Sequence, residues 1–199
     1  YKSAGLSDQQ ILQHIGASET AVEGIFFPDT YYFIKGSSDL DILQRAYKTM
    51  QNHLQNYWSE RVESLPLNTP YEALILASII EKETGAESDR AEIAGVFINR
   101  LRKGMKLQTD PTVIYGLGEQ FDGNLRKKDL LADQEYNTYT RAGLPPTPIS
   151  LPSLASIRAA LNPAETDALY FVAKGNGESE FSTNLADHNK AVNKYQKQQ

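Results

Sequence analysis

Of the side chains able to break a covalent bond, one carboxyl stands in an unusual place. Residues Tyr71 to Thr84 read YEALILASIIEKET, apolar almost throughout until Glu81 and Glu83 close the run. On a helix, residues three, four and seven back share a face, so Glu83 lines up with Ile80, Ile79 and Leu76. Glu81 follows Ser78, Ala77 and Leu74 instead, a smaller and less apolar surface. A carboxyl set against branched aliphatic groups loses solvation of its charged form; its pKa rises and it keeps a proton near neutral pH. Such a group is a general acid. The plainer reading is that Glu is a good helix former and that acids at the end of a buried helix meet water. Helix phase sets Glu81 and Glu83 about 200° apart, against direct contact between them.

Other chemistries are excluded by composition. There is no cysteine, which rules out disulfides, thiolate zinc sites and a cysteine nucleophile. His14, His53 and His188 lie far apart without metal-ligand spacing and read as surface or structural residues, so no metal and no other cofactor is expected. The net charge is −5 with Lys and Arg scattered, and nucleic acid is not an expected partner. No apolar stretch approaches the roughly 20 residues that cross a bilayer. With 199 residues, 40% of them hydrophobic and 23% charged, the chain has ordinary globular composition.

The elements that must hold Glu83 follow from periodicity and punctuation. A short capped helix begins after Ser7 and stops at Gly16, and a long one spans Ser38 to Glu63. Between them EGIFFPDTYYFIKG, Glu23 to Gly36, reads as extended aromatic segments that pack on the core or line a groove. After the helix carrying Glu83 comes a GAES turn and a second helix with Ile93, Val96, Phe97 and Leu101 in phase, stopped near Gly104. Thr109 or Asp110 before Pro111 starts a further helical turn. Arg126 to Ser153 is rich in loop residues with several prolines, a pattern typical of functional loops. SLASIRAALNP is a short helix, ALYFVAKGNGESEFSTN a hairpin turning at Gly-Asn-Gly, and LADHNKAVNKYQKQQ a polar helix. The fold expected is α+β: a helical scaffold around the Tyr71 to Gly104 helix pair, with a small antiparallel sheet from the aromatic N-terminal segment and the C-terminal hairpin, and a lysozyme-like catalytic cleft. Residues 1–65 form its helical and aromatic N-terminal part and 66–199 the core carrying Glu83, together one catalytic unit.

Four polar clusters accompany this scaffold: Glu81 to Thr84, Gln108 to Asp110 including Thr109, Tyr136 to Tyr139, and Ser182 to Asn184 with His188 and Asn189 beyond. Acids, amides, hydroxyls and aromatic rings in that proportion suit a sugar-binding groove, rings covering C–H faces and amides and hydroxyls matching ring oxygens and acetamido groups.

The motifs EGIFFPDTYYF, ASIIEKET, VFINRL, GMKLQTDPTVIYGLG, YNTYTRAGLPPTPI and YFVAKGNGESEFSTNLADHNKAV occur in the order and at the separations of one family. From about Glu23 to Tyr195 the chain resembles the YceG-like endolytic murein transglycosylases. That resemblance implies cleavage of the β-1,4 bond between N-acetylmuramic acid and N-acetylglucosamine without water, leaving a 1,6-anhydromuramoyl end and limiting strand elongation, with Glu83 as catalytic acid. In the wider lytic transglycosylases a glutamate precedes serine, and Gly-Leu-Met-Gln and Ala-Tyr-Asn stretches follow. Glu83-Thr84, GMKLQ ending at Gln108, and Glu135-Tyr136-Asn137 are similar, with Thr for Ser, one residue inserted before Gln108 and Glu before Tyr136. Tyr136, Asn137 and Tyr139 are the candidates for gripping acetamido or ring oxygens, or the tyrosines pin a loop to the core. Asp110 orients substrate or caps the turn before Pro111.

The resemblance also implies glycan strands as substrate, with peptidoglycan synthases or divisome proteins as partners. It implies work at the periplasmic face of the bacterial inner membrane, a membrane anchor and a LysM-like module lying upstream of this catalytic portion. Two other functions fit the same residues, a non-catalytic peptidoglycan-binding scaffold and a hydrolytic muramidase.

Overall fold

Thr69 and Pro70 begin the helix on which the molecule is built. The Thr69 hydroxyl accepts the amide proton of Glu72 at 3.1 Å, and Pro70 stands at the first turn, where no amide hydrogen is needed. In the computed structural model, which describes residues 2–84 and 86–196, this helix, α3, spans Pro70–Glu83. Every residue from Ala73 to Ile80 is buried. A helix that is apolar all round belongs inside a core, with neighbours on every side.

Those neighbours are α2 (Asp39–Ser59), α4 (Glu87–Arg102), α5 (Asp110–Leu117) and α7 (Leu154–Leu161), with α1 (Asp8–Ile15) beyond α2 and the single-turn α6 (Lys127–Leu131) preceding the long loop. α3 packs on α7, α4, α2 and α5, and α1 packs on α2. Leu12, Ile15, Met50 and Leu54 from the first two helices join Leu74, Ile79, Phe97, Ile157 and Leu161 in one apolar cluster. Ser7 and Ser38 cap α1 and α2 with reciprocal side-chain and backbone bonds from Gln10 and Asp41. The GAES turn includes Gly85, which lies outside the described residues, as do the last three residues of the C-terminal polar segment.

The sheet is smaller than the sequence suggests. Its two antiparallel strands are β1 (Tyr170–Ala173) and β2 (Ser179–Ser182), with Phe171 opposite Phe181. α8 (Leu185–Tyr195) lies on both strands, and Phe171 meets Phe97 of α4 edge-on at 5.8 Å between ring centres. The aromatic segment Glu23 to Gly36 adds no strand. Its bonds go to helices instead, the Phe27 amide donating to Ala46 O at 3.1 Å, and Pro28 has no hydrogen to give a ladder. One end of the segment is core: Ile25 is fully buried, and Gly24, at φ 80°, passes so close to Pro148 that a Cβ there would lie 2.3 Å from its ring. The other end is not, for Tyr32, Phe33 and Ile34 are 85%, 67% and 80% exposed. The architecture is α+β. No helix among the described residues is long and apolar enough to cross a membrane.

Candidate active site

Glu83 is the last residue of α3, so its side chain emerges where the core helix meets the surface. Thr109 donates its hydroxyl proton to Glu83 Oε1, fixing the carboxyl against the start of α5. The segment before α5 is held by α4: Arg100 donates from Nη1 to Leu107 O at 2.7 Å and from Nε to Leu169 O at 2.7 Å. One guanidinium thereby ties Leu107 to the residue preceding β1 and stands beside Glu83 while only 7% exposed. The hairpin and α8 close the far side.

A cavity of about 450 Å³ results, walled by Glu83, Arg100, Gln108, Thr109, Asp110 and Tyr139 on one side and by Tyr170, Phe171, Ser179 and His188 on the other. Gln108 stands in it with a left-handed backbone at φ 52°, uncommon for a residue with a Cβ. Two bonds hold that turn, the Gln108 amide donating to Thr138 O and the Thr109 amide to Thr138 Oγ1, each at 3.1 Å. Tyr139 donates its phenol proton to Asp110 Oδ1 at 2.5 Å.

The electrostatics set Glu83 apart. Burial pushes its pKa up, and the negative charge of Asp110 adds to that, while the Thr109 bond and the Arg100 charge pull the other way without reversing it. The other displaced carboxyls, Asp39, Asp41, Glu81, Asp122, Asp133 and Asp187, all move down. Glu81 is the instructive case. Burial alone would raise it, but its Oε2 accepts from the Ser153 hydroxyl at 2.6 Å, the Ser156 hydroxyl at 2.6 Å and the Ser153 amide at 2.9 Å, which together hold it charged. The contrast between the two glutamates begins with burial, which outweighs the opposing influences at Glu83 but not at Glu81. Donors add to it: among the described residues three hydrogen bonds hold the Glu81 carboxylate and one reaches Glu83. Tyr139 is raised by burial and by the carboxylate it bonds, and remains a donor.

Four of the substrate-binding candidates, Gln108, Thr109, Asp110 and Tyr139, thus gather round Glu83. Tyr136 and Asn137 do not line the cavity. The Tyr136 hydroxyl is paired with Thr147 Oγ1 at 2.8 Å and its ring lies 4.8 Å from that of Tyr115. Asn137 is fully buried; its amide donates to the carbonyls of Asp129, Leu130 and Ala132, and its oxygen accepts from the Tyr139 amide at 2.8 Å. Both hold the loop that presents Tyr139. In the C-terminal cluster, Asn184 caps α8 and Ser182 is buried, but His188 opens on the cavity. Arg100 was not foreseen. Its signal lies in phase: it follows Phe97, Val96 and Ile93 on a buried face, where an arginine needs partners.

Helical packing around a buried core helix, a small sheet and a carboxyl of raised pKa in an open cleft define an α+β protein with an acid-bearing cleft. The family model of the YceG-like family matches residues 2–194, and the chain belongs to that family. Among its relatives, the endolytic murein transglycosylase of Bacillus subtilis (strain 168) is 45% identical over 175 residues, 87% of this chain and 48% of the relative. The endolytic murein transglycosylase of Streptococcus pneumoniae serotype 2 is 33% identical over 177 residues, 86% of this chain and 32% of the relative. A crystal structure of a YceG-like protein from Listeria monocytogenes superposes with a TM-score of 0.75 at 37% identity, covering 92% of this chain and 62% of that one. The chain spans about half the length, or less, of the relatives named here.

Proposed function

We propose that this chain is the catalytic portion of an endolytic murein transglycosylase and that Glu83 is its acid and base. The observation that carries the reading is the half-buried carboxyl of Glu83, its pKa raised by desolvation, in the wall of an open cavity. Glu83 gives its proton to the glycosidic oxygen as the bond from C1 breaks and the muramic acid ring takes on oxocarbenium character. The carboxylate left behind is held by the Thr109 hydroxyl and the Arg100 charge. It then takes the proton of the C6 hydroxyl as that oxygen closes on C1, giving the 1,6-anhydro end and restoring the acid. The neighbouring acetamido group assists, so a carboxylate nucleophile is not required, one of the exceptions to the paired-carboxylate rule. Gln108, Asp110 and Tyr139 serve as substrate contacts, with Tyr139 and Asp110 acting as one bonded unit.

Glycan strands of the cell envelope are the substrate on this reading. Its finer part sets the reaction at the periplasmic face of the inner membrane, with the synthases and divisome proteins that make the strands as neighbours. Hydrolysis is the second reading, and Asp110 in the same wall is what favours it. Mass spectrometry of digested, uncrosslinked strands separates the readings: anhydro ends for transglycosylation, reducing ends for hydrolysis, no new ends for a binding module. Glu83→Gln should lose on the order of 10²–10⁴ in turnover with the fold intact, as removal of a general acid does. Near-parental cleavage by that variant would refute the role of Glu83.

A further inference from the structure

His188 faces the same cavity as Glu83, but from α8 rather than α3. Its ring lies against Tyr170 of β1, 5.2 Å between centres and 25° from parallel, and the Arg100 guanidinium stands over the same tyrosine at 5.1 Å. The two imidazole nitrogens differ in kind. Nδ1 is buried and has no hydrogen-bond partner among the described residues. Nε2 is not among the buried unpartnered atoms and makes no bond to protein among those residues, so it is the accessible one, and the cavity is what it opens on.

Burying a hydrogen that nothing accepts is rarer in proteins than leaving a lone pair unused. The ring therefore places its proton on Nε2, an assignment made from the bonding pattern. Burial and the nearby Arg100 charge hold the imidazole pKa below the ordinary histidine value, so near neutral pH the group is an uncharged donor. An uncharged, oriented N–H on a stacked ring, with an otherwise costly Nδ1, is a feature that stability alone does not explain.

We propose that His188 is a substrate-binding residue of this cleft, its Nε2 donating a hydrogen bond to a neutral oxygen, hydroxyl or acetamido carbonyl, of a bound amino sugar. The inference rests on the glycan reading of the Glu83 site and adds a contact from the opposite wall. It makes the hairpin and α8 part of the binding surface, so that a strand is gripped between two elements distant in sequence.

His188→Phe keeps an aromatic ring against Tyr170 and removes both nitrogens. His188→Gln keeps an N–H near the position of Nε2. On soluble uncrosslinked strands, His188→Phe should raise KM roughly three- to tenfold, the worth of one neutral hydrogen bond, with a smaller change in kcat, and His188→Gln should recover part of the loss. Parental kcat/KM in folded His188→Phe overturns the proposal, as does a loss that His188→Gln does not restore at all. A second measurement is independent of turnover. In the Glu83→Gln protein, a tetrasaccharide of alternating N-acetylglucosamine and N-acetylmuramic acid is titrated while the imidazole ¹⁵N resonances are followed by NMR. A displaced Nε2 signal supports the contact. An unmoved Nε2 signal alongside displaced Gln108 and Tyr139 amides overturns this proposal alone, and no displacement anywhere overturns it together with the glycan reading.

Discussion

Two glutamates separated by one lysine leave α3 with opposite acidities. Glu81 is held below its ordinary value and Glu83 above it, because hydrogen bonds from Ser153 and Ser156 outweigh burial at the first whereas burial outweighs the Thr109 bond and the Arg100 charge at the second. The linkage to stability has opposite sign at the two positions. Glu83 costs nothing where it is protonated in both the folded and unfolded chain, and destabilises the fold as pH rises past the unfolded value and through the raised folded one. Glu83→Gln should therefore melt a few degrees higher than the parent at neutral pH, the gap closing below pH about 4, where carboxyls are protonated in either state. Thermal melts across pH check this; an equal gap at all pH would contradict it. Glu81 behaves in reverse, its contribution present above the unfolded value and lost as pH falls through the lowered one. A stabilised but inactive Glu83→Gln would also fit the general trade between site chemistry and stability.

At the scale of elements, the loop between α6 and α7 behaves as a built part. Asn137 bonds three carbonyls behind it and one amide ahead of it, which sets Tyr139 over Asp110. Asn137→Ala removes the donor those carbonyls share and leaves a gap at a fully buried position, and should cost roughly 1–3 kcal/mol, seen as a lower Tm and earlier proteolytic cleavage between Ala132 and Pro145. Unchanged protease resistance would show that the loop is held otherwise. Sequence reading reached the helices here because capping serines, terminal glycines and apolar phase are local signals. It offered Tyr136 and Asn137 as sugar contacts, with loop pinning the alternative for the tyrosine, and both lie outside the cavity lining, because an amide's partners depend on where carbonyls of a folded loop point. Arg100 escaped it for a related reason: its importance comes from β1, which the chain reaches only after roughly 70 further residues, as the 69-residue separation to Leu169 shows.

At the scale of the whole molecule, the first two helices and the Glu83 helix draw on one apolar cluster. We expect residues 1–65 and 66–199 to unfold as a unit. Leu54 on α2, almost fully buried, makes a test. Leu54→Ala should cost about 2–5 kcal/mol and lower together the transition seen by the single tryptophan, Trp58, and that seen by far-UV circular dichroism. A fluorescence transition that precedes the dichroism one would mean two units. The helical scaffold was legible at this scale and the sheet was overestimated, since aromatic and β-branched content in Glu23 to Gly36 describes a burial preference that a coil anchored at Gly24 and Phe27 also satisfies.

The left-handed turn at Gln108 carries a consequence for how this position can vary over evolutionary time. Backbone shape screens each replacement before any sugar meets it: glycine or asparagine can enter that conformation readily, whereas valine and isoleucine are shut out by their branched Cβ. Two filters, one conformational and one for recognition, act on a single codon, and the side chains that pass both are few.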